Sequence, residues 1–280
     1  MTTTESTSDA TYVLGHPSGE EQRLQRLGQL QYASTRHLLT QAGIVPGMKV
    51  LDVGSGAGDV ALLLADLIGP TGSIVGVDIY PTVLETARAR LQAAGFERAT
   101  FLAGDIREAV LDTDFDAVVG RNILMYVANP AEVLRLCASH LRSGGIVAFQ
   151  EVEWSLTERV DGMPALPLLV QQAANWIVGG FRQAGAEMQI GFKFPHMFLE
   201  AGLPLPHMSL DGIVGTEADW VGYDFLTDVL RDILPKLYEY SIVKEQLDAA
   251  SYVARLREEI RQQHALFPLF FLAGAWTQKG

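Results

Sequence analysis

A chain of 280 residues, 48% of them hydrophobic and 19% charged, is long enough to bury the core of one sizeable α/β domain with an added subdomain. Its 33 acids against 21 bases give a formal charge of −12; with no Lys/Arg run, such a surface repels a phosphate backbone and an anionic lipid face, so neither nucleic acid nor membrane is expected as a partner. The single cysteine, Cys137, excludes an internal disulfide and a thiolate metal cluster and fits a reducing cytosol.

In chain order, Met1–Ala10 is polar and lacks the basic start and apolar stretch of a signal peptide. The spacing of Leu24, Leu27, Leu30, Leu38 and Leu39 predicts one or two amphipathic helices over Glu20–Ala42. After Pro46-Gly47, strands at Met48–Val53, Ser73–Asp78, Ala99–Ala103, Phe115–Val119 and Ile146–Val152 alternate with helices. Those helices are expected at Asp59–Ile68, at Thr82–Ala94 behind Pro81, and from Asn129-Pro130 to Ser143-Gly144-Gly145, with Cys137 on the apolar face of the last. Such alternation predicts an α/β fold, a parallel sheet with helices on both faces and ligands at the carboxyl ends of its strands. Beyond Trp154 the reading is a helix from Pro164 to about Ala186, a Gly/Pro-rich stretch, a strand around Leu210–Val214, amphipathic helices across 216–263 and an apolar strand at Phe267–Gln278. The run Ala265–Trp276, broken by Pro268 and Gly274, is too short to span a bilayer, so a soluble cytoplasmic protein is expected. The sequence sets no oligomeric state; a homodimer is compatible with it.

The first strand runs into Gly54-Ser55-Gly56-Ala57-Gly58-Asp59. Small residues let the backbone turn and approach a ligand, and a helix start offers unpaired N–H groups. In a dinucleotide fingerprint a third glycine would stand where this chain has Asp59, and an acid there opposes a pyrophosphate, as does Asp52 ahead of the loop. Asp78 ends the second strand, where a carboxylate accepts ribose hydroxyls, and Gly104-Asp105-Ile106 ends the third, where a carboxylate can meet an adenine amino group. The implied ligand is an adenosine without phosphate, its charged tail over the loop.

Leu51-Asp52-Val53-Gly54-Ser55-Gly56-Ala57-Gly58 resembles the first motif of class I S-adenosylmethionine-dependent methyltransferases. Gly76-Val77-Asp78, Gly104-Asp105-Ile106, Phe115-Asp116-Ala117-Val118 and Leu141-Arg142-Ser143-Gly144-Gly145 fall in that family's order and spacing across residues 46–153. The resemblance implies a Rossmann-like, seven-stranded, mostly parallel sheet whose last strand returns antiparallel. It implies S-adenosylmethionine as cofactor, with S-adenosylhomocysteine as product. Gly54, Ser55 and Gly56 would lie under the methionine portion, Asp52 on the cofactor side, Asp78 with Ile79 at the ribose, and Asp105 with Ile106 at the adenine. Tyr12-Val13-Leu14-Gly15 with Arg23-Leu24 and Gln31 is similar to a bacterial, natural-product type subgroup that acts on small molecules, which implies Tyr12 and Gln31 at the methionine end.

The expected division is 1–45 tail and cap helices, 46–153 cofactor core, 154–265 helical lid with one strand, and 266–280 last strand. The expected reaction moves a methyl group to O or N, less readily C, of a small, largely apolar or aromatic metabolite of secondary metabolism. The alternatives are a cofactor-binding protein without transfer and a dinucleotide-dependent oxidoreductase. Glu151 and Glu153 share a strand face with Val152 opposite, and either would take a proton from the acceptor, pair with an ammonium, or merely order a loop. His196 and His207 are read as bases or as packed core histidines. In Gly120-Arg121-Asn122-Ile123-Leu124, Arg121 and Asn122 approach the cofactor or order the loop; the Asn/Asp-Pro-Pro-aromatic sequence of amino-methylating nucleic-acid enzymes resembling this family is absent. Trp154, Trp176, Phe192, Phe194, Phe198, Trp220, Tyr223 and Phe225 pack or line an acceptor pocket, and no metal-ligand spacing is present.

Overall fold

The computed structural model describes residues 14, 20–157, 166–215 and 220–280. Strands β1 (Lys49–Val53), β2 (Ser73–Asp78), β3 (Ala99–Ala103), β4 (Phe115–Arg121), β5 (Leu141–Val152), β6 (His207–Gly215) and β7 (Phe267–Gln278) form one sheet in the order 3-2-1-4-5-7-6. The pairings among β1–β5 are parallel, and β7 lies antiparallel between β5 and β6. Central strands are apolar at successive residues because both faces are covered. Val50, Ala117, Val119, Ile146 and Ala148 enter one core, while Leu51, Val118, Val147 and Phe149 enter the other.

The first core is closed by α2 (Asp59–Ile68), α3 (Pro81–Ala93) and the end of α1 (Glu20–Ala42), and the second by α4 (Pro130–Ser139), α5 (Leu168–Gln183), α6 (Ile190–Glu200), α7 (Val221–Glu239) and α8 (Ala249–Gln263). The N-terminal segment is one continuous helix of 23 residues rather than two. It runs over the sheet, where Thr35 Oγ1 donates to Gln150 Oε1 (2.7 Å) and Ser34 Oγ to Asp211 Oδ2 (2.7 Å), and it packs on α7 through Arg23–Asp232 (2.8 Å) and Arg26–Asp228. No described helix is long and apolar enough to cross a membrane.

Two expectations are corrected. The helix after Asn129 ends at Ser139, and Gly144-Gly145 lies inside β5, in the irregularity between its pairings with Phe115 and Ala117. A positive-φ glycine (Gly144, +71°) marks a strand bulge as readily as a helix end. The Gly/Pro-rich stretch after Ala186 contains α6, which buries Ile190, Phe194, Met197 and Phe198 at helical spacing despite Pro195. Pro164, expected to open the preceding helix, and residues 216–219 lie outside the described residues; α5 is described from Leu168.

Candidate functional site

Strand order reverses at β1, which lies between β2 and β4, so the carboxyl ends of β1 and β4 diverge and leave a crevice. A cavity of about 340 Å³ occupies it.

The polar end is built from strand termini. Gly54 turns with φ +70°, and a Cβ there would stand 2.1 Å from Ile123 Cγ2, so the loop after β4 can lie this close only over a glycine. Asp78 accepts from Gly56 N (2.9 Å) and Tyr80 N (3.0 Å), tying the loop to the end of β2. Asp105 accepts from Arg107 N (2.9 Å) and Nε (2.9 Å) and pairs with Nη2; the Arg107 hydrogen bonds hold its carboxyl below the ordinary value. Gly54, Ser55, Gly56, Asp78, Ile79, Asp105, Ile106, Arg121 and Asn122 all line the cavity. Asp59 opens α2 and is paired with Arg90 Nη2 (2.8 Å), so a carboxylate already occupies the helix start that a diphosphate would need.

Asp52 and Gln31 do not line the cavity and stand behind it. Asp52 is fully buried and accepts from Ser55 Oγ (2.6 Å), which aligns the loop from below. Gln31, also fully buried, accepts from Asn122 Nδ2 (3.2 Å). Three polar atoms in this layer are buried without a partner: Asp52 Oδ1, Gln31 Nε2 and Asn122 Oδ1. Tyr12 lies outside the described residues.

The other end of the cavity is apolar. Trp154 stacks on Phe181 (centroids 5.2 Å apart, planes at 25°) and leans on Phe270 (6.4 Å), which meets Phe225 edge-on (6.0 Å, 71°). Tyr126, Met125, Val152 and Val229 complete this wall, while Leu24 and Leu27 of α1 also line the cavity. Of the aromatics singled out in the sequence only Trp154 and Phe225 are here. Phe181, Phe270 and Tyr126 come from three separate segments that only tertiary packing unites.

The four candidate bases are elsewhere. Glu151 is completely buried and accepts from the backbone N–H groups of Ile123 (2.9 Å), Leu124 (2.9 Å) and Met125 (3.4 Å), so it holds the loop after β4. Glu153, equally buried, accepts from Gly191 N (2.9 Å), Phe192 N (3.3 Å) and Ser155 N (3.2 Å), which caps the start of α6. Neither lines the cavity; Val152, on the opposite face between them, does. His196 is 83% exposed on α6, 3.6 Å from Glu200, and His207 stacks on Trp276 at the sheet edge. None of the four lines the cavity: the two carboxylates are taken up by backbone donors and the two imidazoles lie on the surface. Cys137 is a buried core thiol, its pKa pushed up to about 12 by burial. No metal-holding group of His, Cys, Asp or Glu occurs among the described residues.

Burial pushes Asp52 up to about 6, against the lowering effects of Ser55 and Arg121, and pushes Glu151 up to about 7, against its three N–H donors. A carboxyl whose folded pKa is raised binds its proton more tightly in the native state than in the unfolded chain. These two groups therefore remove stability as pH rises from about 4 to 7. For Asp52 the loss is roughly 3 kcal/mol across its own shift. Melting temperatures from pH 4.5 to 7.5 should show a steeper fall for the wild type than for Asp52→Asn; parallel curves would refute the buried acid's part in it.

A family model described as a methyltransferase domain matches residues 44–189, a little over half of the chain. The chain is 32% identical over 122 residues to an arsenite methyltransferase of Aquipseudomonas alcaligenes, covering 41% of this chain and 35% of that one. It is 32% identical over 120 residues to the ubiquinone/menaquinone biosynthesis C-methyltransferase UbiE of Ectopseudomonas mendocina, covering 42% and 47%. The chain spans about half or less of the length of these curated relatives. Its fold is similar to that of a SAM-dependent methyltransferase from Aquifex aeolicus (TM-score 0.51, 16% identity, 69% of this chain and 90% of that one). With the glycine loop, the strand-end aspartates and the 3-2-1-4-5-7-6 sheet, these matches place the chain in the methyltransferase-domain family, among the class I S-adenosylmethionine-dependent methyltransferases.

Proposed function

We propose that this chain transfers the methyl group of S-adenosylmethionine to an oxygen or nitrogen of a small, largely apolar or aromatic acceptor. The observation that carries the reading is a single cavity with two unlike ends: strand-end carboxylates and a glycine loop at one, an aromatic wall at the other. The polar end suits this cofactor. Arg121 and Asn122 line this end of the cavity: the half-buried Arg121 guanidinium suits the carboxylate of an amino-acid tail, and Asn122 Oδ1, an acceptor without a partner, suits its ammonium. A Cβ at Gly56 (φ +52°) would meet no protein atom nearer than 4.0 Å, so the space above the loop is free for a ligand.

When bound, S-adenosylmethionine supplies a methyl group already activated by its sulfonium. The chain's own residues then have to hold and to enclose. The Asp78 carboxylate, which accepts from Gly56 N and Tyr80 N, is placed at the end of β2 to accept ribose hydroxyls as well, and Asp105 can accept an adenine amino group beside Ile106. Leu24 and Leu27, with the aromatic wall, exclude water and restrict the acceptor's orientation, which is where most of the rate gain of such a transfer arises. The −12 charge supports a small-molecule acceptor over a nucleic acid.

Incubation with S-(trideuteromethyl)-adenosylmethionine and a panel of small phenols and amines should give acceptors carrying one labelled methyl by mass spectrometry. Asp78→Ala should weaken S-adenosylhomocysteine binding by about 10- to 100-fold, the worth of charge-assisted hydrogen bonds. Cofactor binding with no label on any acceptor would favour a protein that binds the cofactor without transferring its methyl.

A further inference from the structure

We infer that Trp154 is the end wall of the acceptor lobe and sets the longest acceptor the site admits, an inference that rests on the methyl-transfer reading of the cavity. Behind the lobe lies a second void of about 20 Å³, lined by Val170, Ala173 and Ile177 of α5, Leu226 of α7 and Pro268 of β7, among other residues. Trp154 is the one described residue that lines both spaces. The void has room for about one water and, apart from Thr157, an apolar lining. Trp154 is thus the wall the two spaces share.

The wall is fixed in place. Trp154 follows β5 in a single helical turn whose backbone is held by Thr157 N and Oγ1 donating to Trp154 O (3.0 and 2.6 Å) and Ser155 N donating to Met188 O (3.1 Å). Phe181 stacks on the ring at 5.2 Å. The indole Nε1 is buried without a hydrogen-bond partner, so the ring contributes bulk and stacking here and no polar contact. Shortening it on a pinned backbone leaves space that the surroundings only partly refill, because packed cores relax incompletely around a deletion. The space gained runs from the aromatic wall toward α5 and α7, so it would take the tail of an elongated apolar acceptor.

The test is a chain-length series of 4-n-alkylphenols, titrated calorimetrically into S-adenosylhomocysteine-saturated wild type, Trp154→Phe and Trp154→Ala. Wild-type affinity should rise about fourfold per added methylene and then stop rising at one length. In Trp154→Ala the rise should continue for at least two more methylenes, making the longest phenols tenfold or more tighter than on the wild type, with Trp154→Phe between. A breakpoint at the same length in all three proteins, or no alkylphenol binding by the wild type, overturns the inference. Should Trp154→Ala lose S-adenosylhomocysteine binding, Trp154→Leu carries the same comparison. Failure of the wild type to bind S-adenosylhomocysteine at all would sink the methyl-transfer reading itself, a result distinct from an unmoved breakpoint.

Discussion

Replacing Glu151 with alanine should destabilise the protein by about 3 kcal/mol in urea unfolding, and any loss of activity should follow from that. The carboxylate sits in a fully buried position and satisfies three consecutive backbone donors, at Ile123, Leu124 and Met125. Removing it strands N–H groups that cost about 1–3 kcal/mol each when left unpaired, partly relieved by water entering the hole. Glu151→Gln should fall between the two, because an amide can accept from Ile123 and Leu124 but turns an NH₂ toward Met125. The same loop carries Ile123 against Gly54 and Met125 in the cavity wall, so cofactor affinity should weaken together with stability. Wild-type stability combined with a lost acidic limb in the pH–rate profile would reinstate Glu151 as a base.

The clasp between α1 and α7 should be equally costly to break and much cheaper to replace. Arg23 Nε and Asp232 Oδ2 are 2.8 Å apart with side chains only 1% exposed, and Arg23 lines the cavity. Arg23→Met leaves the buried Asp232 carboxylate only the half-exposed Arg231 guanidinium, 3.4 Å away, and should cost about 3 kcal/mol; Asp232→Leu, which takes the carboxylate from the buried Arg23, should cost a similar amount. The pair Arg23→Met/Asp232→Leu should lie within about 1 kcal/mol of the wild type, since two well-packed apolar groups escape the desolvation that offsets a buried ion pair. Equilibrium unfolding of the four proteins closes the cycle. Additive single effects would show that the two side chains act separately and that α1 is held over the cavity by other contacts.

What could be read in the sequence was whatever leaves a local period or an ordered motif. Helix α2 occupies Asp59–Ile68, the span expected from its apolar faces, and β2, β3 and β7 keep their expected bounds. The glycine loop and the acids closing β2 and β3 could be placed because strand ends and a following helix fix where such residues point. What stayed hidden is non-local. Phe181 and Phe270 are separated by 89 positions in the chain and meet only through Trp154. Glu151 and Glu153 had the right residue type at the right edge, yet their partners are backbone N–H groups of other segments, which no side-chain pattern records. Helix α6 was masked because Gly191 and Pro195 outweighed the i, i+4, i+7, i+8 spacing of its buried residues.

Calorimetric titration with S-adenosylhomocysteine and, separately, NADH tests the central claim most directly. The crevice should take one S-adenosylhomocysteine per chain, bind it 10- to 100-fold more weakly after Asp78→Ala, and show no heat with NADH. Saturable NADH binding with none by S-adenosylhomocysteine would contradict it.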